Sequence, residues 1–166
     1  MQNQILNEDL TYVLNNLSIE EKGKFKDATI LFTGCGGFLG YYFMHFFAEY
    51  AEDLGIKKII GLDNFLTGTR EWLETLDANN DRIDLKEFNV ITDDISKVEG
   101  AEEANLIIHG ASIASPMFYR IYPEETIDAN ITGLRKMLDF YKKKNIDGFL
   151  FFSSSEIYGD PFPEFI

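Results

Sequence analysis

Apolar positions change their spacing near residue 28, and the change divides the chain. Over the first 27 residues Leu6, Leu10, Val13, Leu14 and Leu17 recur at three- and four-residue intervals, the repeat of one helix face. Asn7 precedes Glu8 and Asp9 as an N-cap, and Ser18 with Glu21 has capping-box spacing for a second, short helix. The pattern predicts a helical N-terminal extension over 1–27, packed on the domain or on a neighbouring subunit, with no residue suited to chemistry.

From residue 28 short apolar runs alternate with longer amphipathic ones. "ATILFT" is continuously apolar and stops at a glycine cluster, as a strand buried on both faces does. "GFLGYYFMHFFAEYAEDLG" is long enough for a helix, and Gly55 is placed to end it. "KKIIGLD" predicts a second strand, "IDLKEFNV" a third after a short helix near 71–76, and "NLIIHGA" a fourth. "ETIDANITGLRKMLDFYKKKN" predicts one long helix, acidic at its start and lysine-rich at its end as the helix dipole favours. "DGFLFFSSS" is the fifth strand. The expected fold class is α/β, a doubly wound parallel sheet with right-handed crossovers, forming one domain over 28–166.

An apolar share of 45% supplies a real core and excludes a disordered chain. The formal charge of −13 repels phosphate backbones and anionic lipid, so neither nucleic acid nor membrane is an expected partner. Any bound phosphate must therefore be held by local geometry. The single cysteine, Cys35, allows no internal disulfide. The first residues lack a basic n-region, and no apolar run approaches the length of a membrane span, so a cytoplasmic location is expected.

Gly34, Gly37 and Gly40 follow the first strand and open the first helix. One glycine suits the sharp turn, a second lets a pyrophosphate approach the backbone, and a third lets the helix pack close to the sheet. The helix N-terminus then offers unpaired N–H groups to phosphate. Asp63 ends the second strand, where a carboxylate accepts ribose hydroxyls and repels a 2′-phosphate, favouring NAD over NADP. Cys35, inside the turn, reads as a small tolerated residue, since no base or second cysteine accompanies it.

Five segments, "TGCGGFLG", "LDNFLTG", "HGASIASP", "DANITG" and "SSSEIYGDP", occur in an order that resembles the extended short-chain dehydrogenase/reductases acting on nucleotide sugars. This is the NAD-dependent epimerase/dehydratase family, and the likeness is strongest to its UDP-glucuronate decarboxylase (UDP-xylose synthase) branch. It covers about residues 28–161. The resemblance implies a Rossmann-type sheet and NAD as cofactor, with Gly34, Gly37, Phe38, Leu39 and Gly40 lining the pyrophosphate. Asp63 and Asn64 would hold the adenosine ribose. Asn89 and Val90 would meet the adenine, where the family usually has Asp followed by Val or Ile. Gly110, Ala111 and Ser112 would flank the nicotinamide half, although the family prefers Leu-Ala at the first two. Asn130 would lie near the cofactor or bond a neighbouring loop, and Tyr119 would stand near the substrate or anchor its loop. His109 matches a packing histidine of the family.

The segment "SSSEIYG" would carry catalysis. Ser154 matches the hydroxyl residue bonded to the sugar hydroxyl being oxidised. Ser155 and Glu156 match a pair that is Asp-Glu in 4,6-dehydratases; Ser155 replaces the acid, as in decarboxylases. The implied reaction oxidises C4 of a nucleotide-linked glucuronate, loses carbon dioxide from the β-keto acid, and returns the hydride. The family's base is a Tyr paired with a Lys four residues later, and neither Tyr41 nor Tyr141 has that lysine. The expectation is an N-terminal fragment, truncated before the Tyr-x-x-x-Lys motif and the substrate domain. Such a fragment would bind NAD weakly, be inactive alone, expose an apolar sheet edge and self-associate or require its missing half, with a homodimer when full length. A 4-epimerase or 4,6-dehydratase acting on a nucleotide-sugar substrate, or a non-catalytic NAD-binding module, are the alternatives.

Overall fold

β1 (Thr29–Thr33) is buried along its whole length, as its unbroken apolar run predicts. It pairs in parallel with β2 (Lys58–Asp63) on one side and β4 (Leu106–His109) on the other. β3 (Ile83–Glu87) and β5 (Gly148–Phe151) complete an all-parallel sheet of order β3-β2-β1-β4-β5. The computed structural model describes residues 4–160, the side chains of Ser155 and Glu156 lying outside the described set. Connections leave β1 and β4 in opposite directions, so a crevice opens between their C-terminal ends.

Alternate strand residues feed two cores. Ile30, Phe32, Ile59 and Ile108 face α1 (Gln4–Asn16), α3 (Phe38–Tyr50) and α4 (Glu71–Asn79). Leu31, Ile60, Leu62 and Ile107 face α7 (Leu134–Tyr141) and the segment 95–104. The many phenylalanines are used in the first core: Phe43 packs edge-on against Phe32 at 5.7 Å and Phe152 at 5.8 Å. The sheet is less covered toward β5, where Leu150 is 45% exposed. An apolar groove of about 630 Å³ opens there, lined among others by Leu10, Val13, Phe43, Phe46, Leu106 and Leu150.

The extension is helical, but α1 begins at Gln4, so Asn7 lies inside it rather than at its cap. Leu6 and Leu10 are buried in the first core, and Thr11 Oγ1 lies 3.1 Å from Tyr50 Oη on α3. The capping box is present at α2 (Ile19–Gly23): Ser18 Oγ accepts the Glu21 N–H, and the Ser18 N–H donates to Glu21 Oε2 at 2.8 Å. α3 gives way to turns after Tyr50, and the chain leaves through Gly55 at φ +68°. There the Ile56 N–H bonds Ala51 O and the Gly55 N–H bonds Glu52 O, a Schellman motif.

The segment expected as one long helix from Glu125 is helical without a break as far as Tyr141, but its winding changes midway and a separate helix precedes it. α5 (Pro116–Ile121) ends at Tyr122, whose backbone is not helical, and α6 (Pro123–Asp128) restarts at a proline that needs no N–H partner in the first turn. A π-helical stretch, Ala129–Gly133, then leads into α7. Gly133 sits so close to Val90 that a Cβ would come within 2.8 Å of Cγ2, which fixes how near this element lies to the loop after β3.

These burials predict that Leu10→Ala lowers stability by about 2–5 kcal/mol in urea unfolding. Ile19→Ala, at a side chain 91% exposed, changes it by less than about 0.5 kcal/mol.

Candidate functional site

The chain turns out of β1 through Gly34 at φ +78°, a conformation that disfavours any side chain. A Cβ there would also lie 2.6 Å from the backbone of Gly110 and Ala111, so the loops after β1 and β4 are in contact. A Cβ on Gly40 would fall 2.1 Å from Cys35 O, which is why α3 can start so close beneath the turn. Gly37 caps α3 with no side-chain acceptor on its first amides. Those amides and the helix dipole form the electropositive feature that an anion needs on this acidic protein.

Asp63, at the end of β2, is buried and fastened at both oxygens. Its Oδ2 accepts the Gly36 N–H at 2.8 Å, and its Oδ1 accepts the Phe65 N–H at 2.7 Å. A carboxylate has roughly four acceptor positions, so it retains capacity for ligand hydroxyls. The 64–69 loop closes over the turn, with the Thr69 N–H donating to Gly36 O at 3.1 Å. Gly36 is a residue the glycine spacing did not single out; the Gly36-Gly37 doublet was the available signal.

A cleft of about 270 Å³ lies at the C-terminal ends of β1, β2 and β4. It brings together Gly34, Gly37, Asp63, Asn64, Asn89, Val90, Gly110, Ala111 and Ser112 from four separate stretches of sequence. Thr67, Gly68, Phe88, Tyr122, Glu125 and Ala129 also line it, and sequence reasoning had not placed them. Asn89 Oδ1, expected at the adenine amino group, already accepts the Ile91 N–H at 2.9 Å, leaving one lone pair for a ligand. Phe38 and Leu39 are exposed on the first turn of α3, and Gly40 lies buried beneath them. Asn130 donates one N–H to Thr126 O within its own helix, at 2.8 Å. Tyr119 is exposed on α5, while Tyr122 is the tyrosine that reaches the cleft.

Ser154 is exposed after β5, and a 3₁₀ turn, Ser155–Tyr158, follows it. The side chains of Ser155 and Glu156 fall outside the described residues. His109 is 1% exposed, with Nδ1 2.8 Å from Thr33 Oγ1. Burial pushes its pKa down to about 4, so the ring is neutral at pH 7 and holds Thr33 rather than moving protons. The buried Cys35 thiol, raised by burial and by the Asp63 charge, stays protonated against Gly61. Among the described residues no group of three or more His, Cys, Asp or Glu could hold a metal ion, and no helix is long and apolar enough to cross a membrane.

The cleft suits a dinucleotide in three respects: a glycine cradle that a Cβ would fill, an uncapped helix start, and a carboxylate held in place at both oxygens. Comparison with known proteins points the same way. The family model for the NAD dependent epimerase/dehydratase family matches residues 30–165. UDP-glucuronic acid decarboxylase 1 of Arabidopsis thaliana is 33% identical over 136 residues, covering 82% of this chain and 28% of that protein. UDP-glucuronic acid decarboxylase 3 of the same plant is 32% identical over 132 residues, covering 80% and 35%. The chain thus spans about a third of the length of the curated relatives it matches. In structure it is similar to a UDP-glucose-4-epimerase from Stenotrophomonas maltophila with bound NAD and formylated UDP-arabinopyranose. That match has a TM-score of 0.64 at 17% identity over 81% of this chain and 39% of the other, a likeness of fold.

Two outcomes follow from this geometry. Gly40→Ala has no room for its methyl and is expected to cost about 3 kcal/mol or more in thermal unfolding. His109 is depressed from 6.5 to about 4 in the folded state, so below pH 6.5 the unfolded chain binds a proton that the folded chain refuses. Stability is expected to fall by up to about 3 kcal/mol as pH drops from 6.5 to 4, and His109→Gln to flatten that slope in urea titrations at stepped pH.

Proposed function

The chain belongs to the NAD dependent epimerase/dehydratase family, and from that premise we propose that it forms the NAD-binding part of a nucleotide-sugar enzyme of the UDP-glucuronate decarboxylase type. The observation that carries the reading is the turn in which Gly34 and Gly37, the N-cap of α3, line one cleft with Asp63. Gly34, Gly37 and the α3 amides would hold the pyrophosphate, and Asp63 with Asn64 the adenosine ribose. Asn89 and Val90 would border the adenine, and Gly110, Ala111 and Ser112 the nicotinamide half. NAD, when bound, supplies a hydride acceptor and donor for C4 of the sugar.

The chain's own contribution is alignment. Backbone donors that cannot move keep the dinucleotide in one pose, and Asp63, fixed at both oxygens, orients the ribose at little further entropic cost. Thr33, bonded to His109 and facing the Ala111 N–H at 3.4 Å, stiffens the loop that would border the nicotinamide. Ser154 would bond the sugar hydroxyl, with Ser155 and Glu156 beside it, and Ser155 in place of an acid favours decarboxylation over dehydration. Two decarboxylases among the relatives support this choice of reaction. The 166 residues alone would bind NAD without turnover, and a cytoplasmic, homodimeric parent completes the proposal.

Calorimetric titration of NAD tests the cofactor assignment: Asp63→Ala should weaken binding by about 1–3 kcal/mol, the worth of hydrogen bonds to a charged group. Unchanged affinity would remove Asp63 from the site. For the reaction, UDP-glucuronate with catalytic NAD and a full-length relative-sized protein should release carbon dioxide. Turnover of a neutral nucleotide-hexose instead would move the assignment to an epimerase or dehydratase.

A further inference from the structure

The loop that closes over Asp63 ends at Arg70, immediately before α4. Its guanidinium carbon lies 4.1 Å above the centroid of the Phe65 ring. Nη2 donates to Glu87 Oε2 at 2.6 Å, and Nη1 lies 3.8 Å from Glu74 Oε1. Phe65 is itself part of the cradle, because a Cβ on Gly36 would come within 3.2 Å of Phe65 Cε1 and 3.1 Å of Asp63 Oδ2. Glu87 is the last residue of β3 and the direct register partner of Asp63 on β2. Arg70 therefore spans from the ring beside the cradle to the strand end next to Asp63. The Glu87 bond and the Asp63 charge both act to keep it protonated.

Resting on the reading of the cleft as an NAD site, we propose that Glu87 determines its specificity by holding Arg70 on Phe65, away from the adenosine ribose. A 2′-phosphate would arrive at Asp63, which repels it, and could be accommodated only by a cation with a planar donor fork. Arg70 is such a cation, and its Nη2 is already engaged by the Glu87 carboxylate, with Glu74 beside Nη1. The preference for NAD then has two sources: a negative charge that faces the phosphate, and a positive charge that is withheld from it. The two are separable, because Asp63 acts on the ligand directly and Glu87 acts through Arg70.

The test is calorimetric titration of NAD and of NADP into the wild type, Glu87→Gln, Arg70→Gln and the double variant. Glu87→Gln is expected to raise the ratio of NADP to NAD affinity about fivefold, the scale of an exposed charge pair. The gain should disappear in the double variant and shrink as salt is added. A ratio unchanged in Glu87→Gln overturns the proposal, as does an equal gain in the double variant, which would mean that Glu87 repels phosphate by its own charge. Failure of the wild type to bind NAD overturns the cofactor assignment itself, and this proposal with it. Glu87 is exposed, and an unchanged urea midpoint in Glu87→Gln confirms that the comparison is between folded proteins.

Discussion

The steric fit at the end of β1 is the constraint on which the rest depends. Gly34 lies against the backbone after β4, and Gly40 lies against the carbonyl of Cys35, both closer than any side chain permits. Without those two contacts α3 could not begin directly under the sheet, and the crevice between β1 and β4 would widen. With them, Gly37, the N-cap of α3, lines the same cleft as the ends of β2 and β4. The cleft is thus a product of backbone proximity more than of side-chain chemistry.

That origin reconciles the site with the protein's charge. Twenty-eight acidic against fifteen basic residues give an exterior hostile to phosphate. Backbone N–H groups carry no net charge, so they attract an anion locally without altering the global balance. The charged side chains near the cleft are held by partners of the same chain. Asp63 is committed to the Gly36 and Phe65 amides, which fixes its direction, and Arg70 is committed to Glu87.

Coverage of the sheet is uneven. β1 at the centre is sealed on both faces, while β5 at the edge is half-buried, with Leu150 open to an apolar groove that α1 only partly walls. α1 is nevertheless part of the first core through Leu6 and Leu10. Sealing falls off from the centre to this edge, where α1 and the Phe43 and Phe46 side of α3 wall the groove beside Leu106 and Leu150 without closing it.

Much of this was legible in the chain itself. The five strands, their parallel arrangement, the capping box at Ser18 and the glycine turn follow from local rules: period, caps and residues without a Cβ. The long helix from Glu125 was also legible, and the break at Tyr122–Pro123 lies just before it. The π-helical stretch inside it was not read from the sequence, and neither was the close approach of Gly133 at its end to Val90. Nor could the sequence say that Tyr122 and Glu125, rather than Tyr119, face the cleft, or that Glu87 would take Arg70 from a neighbouring strand. Sequence alone determined the elements and the residue types able to bind a dinucleotide, because both depend on near neighbours along the chain. Tertiary structure alone decided which of those residues converge, because register between β2 and β3 and the spacing of backbones are set by packing across the fold.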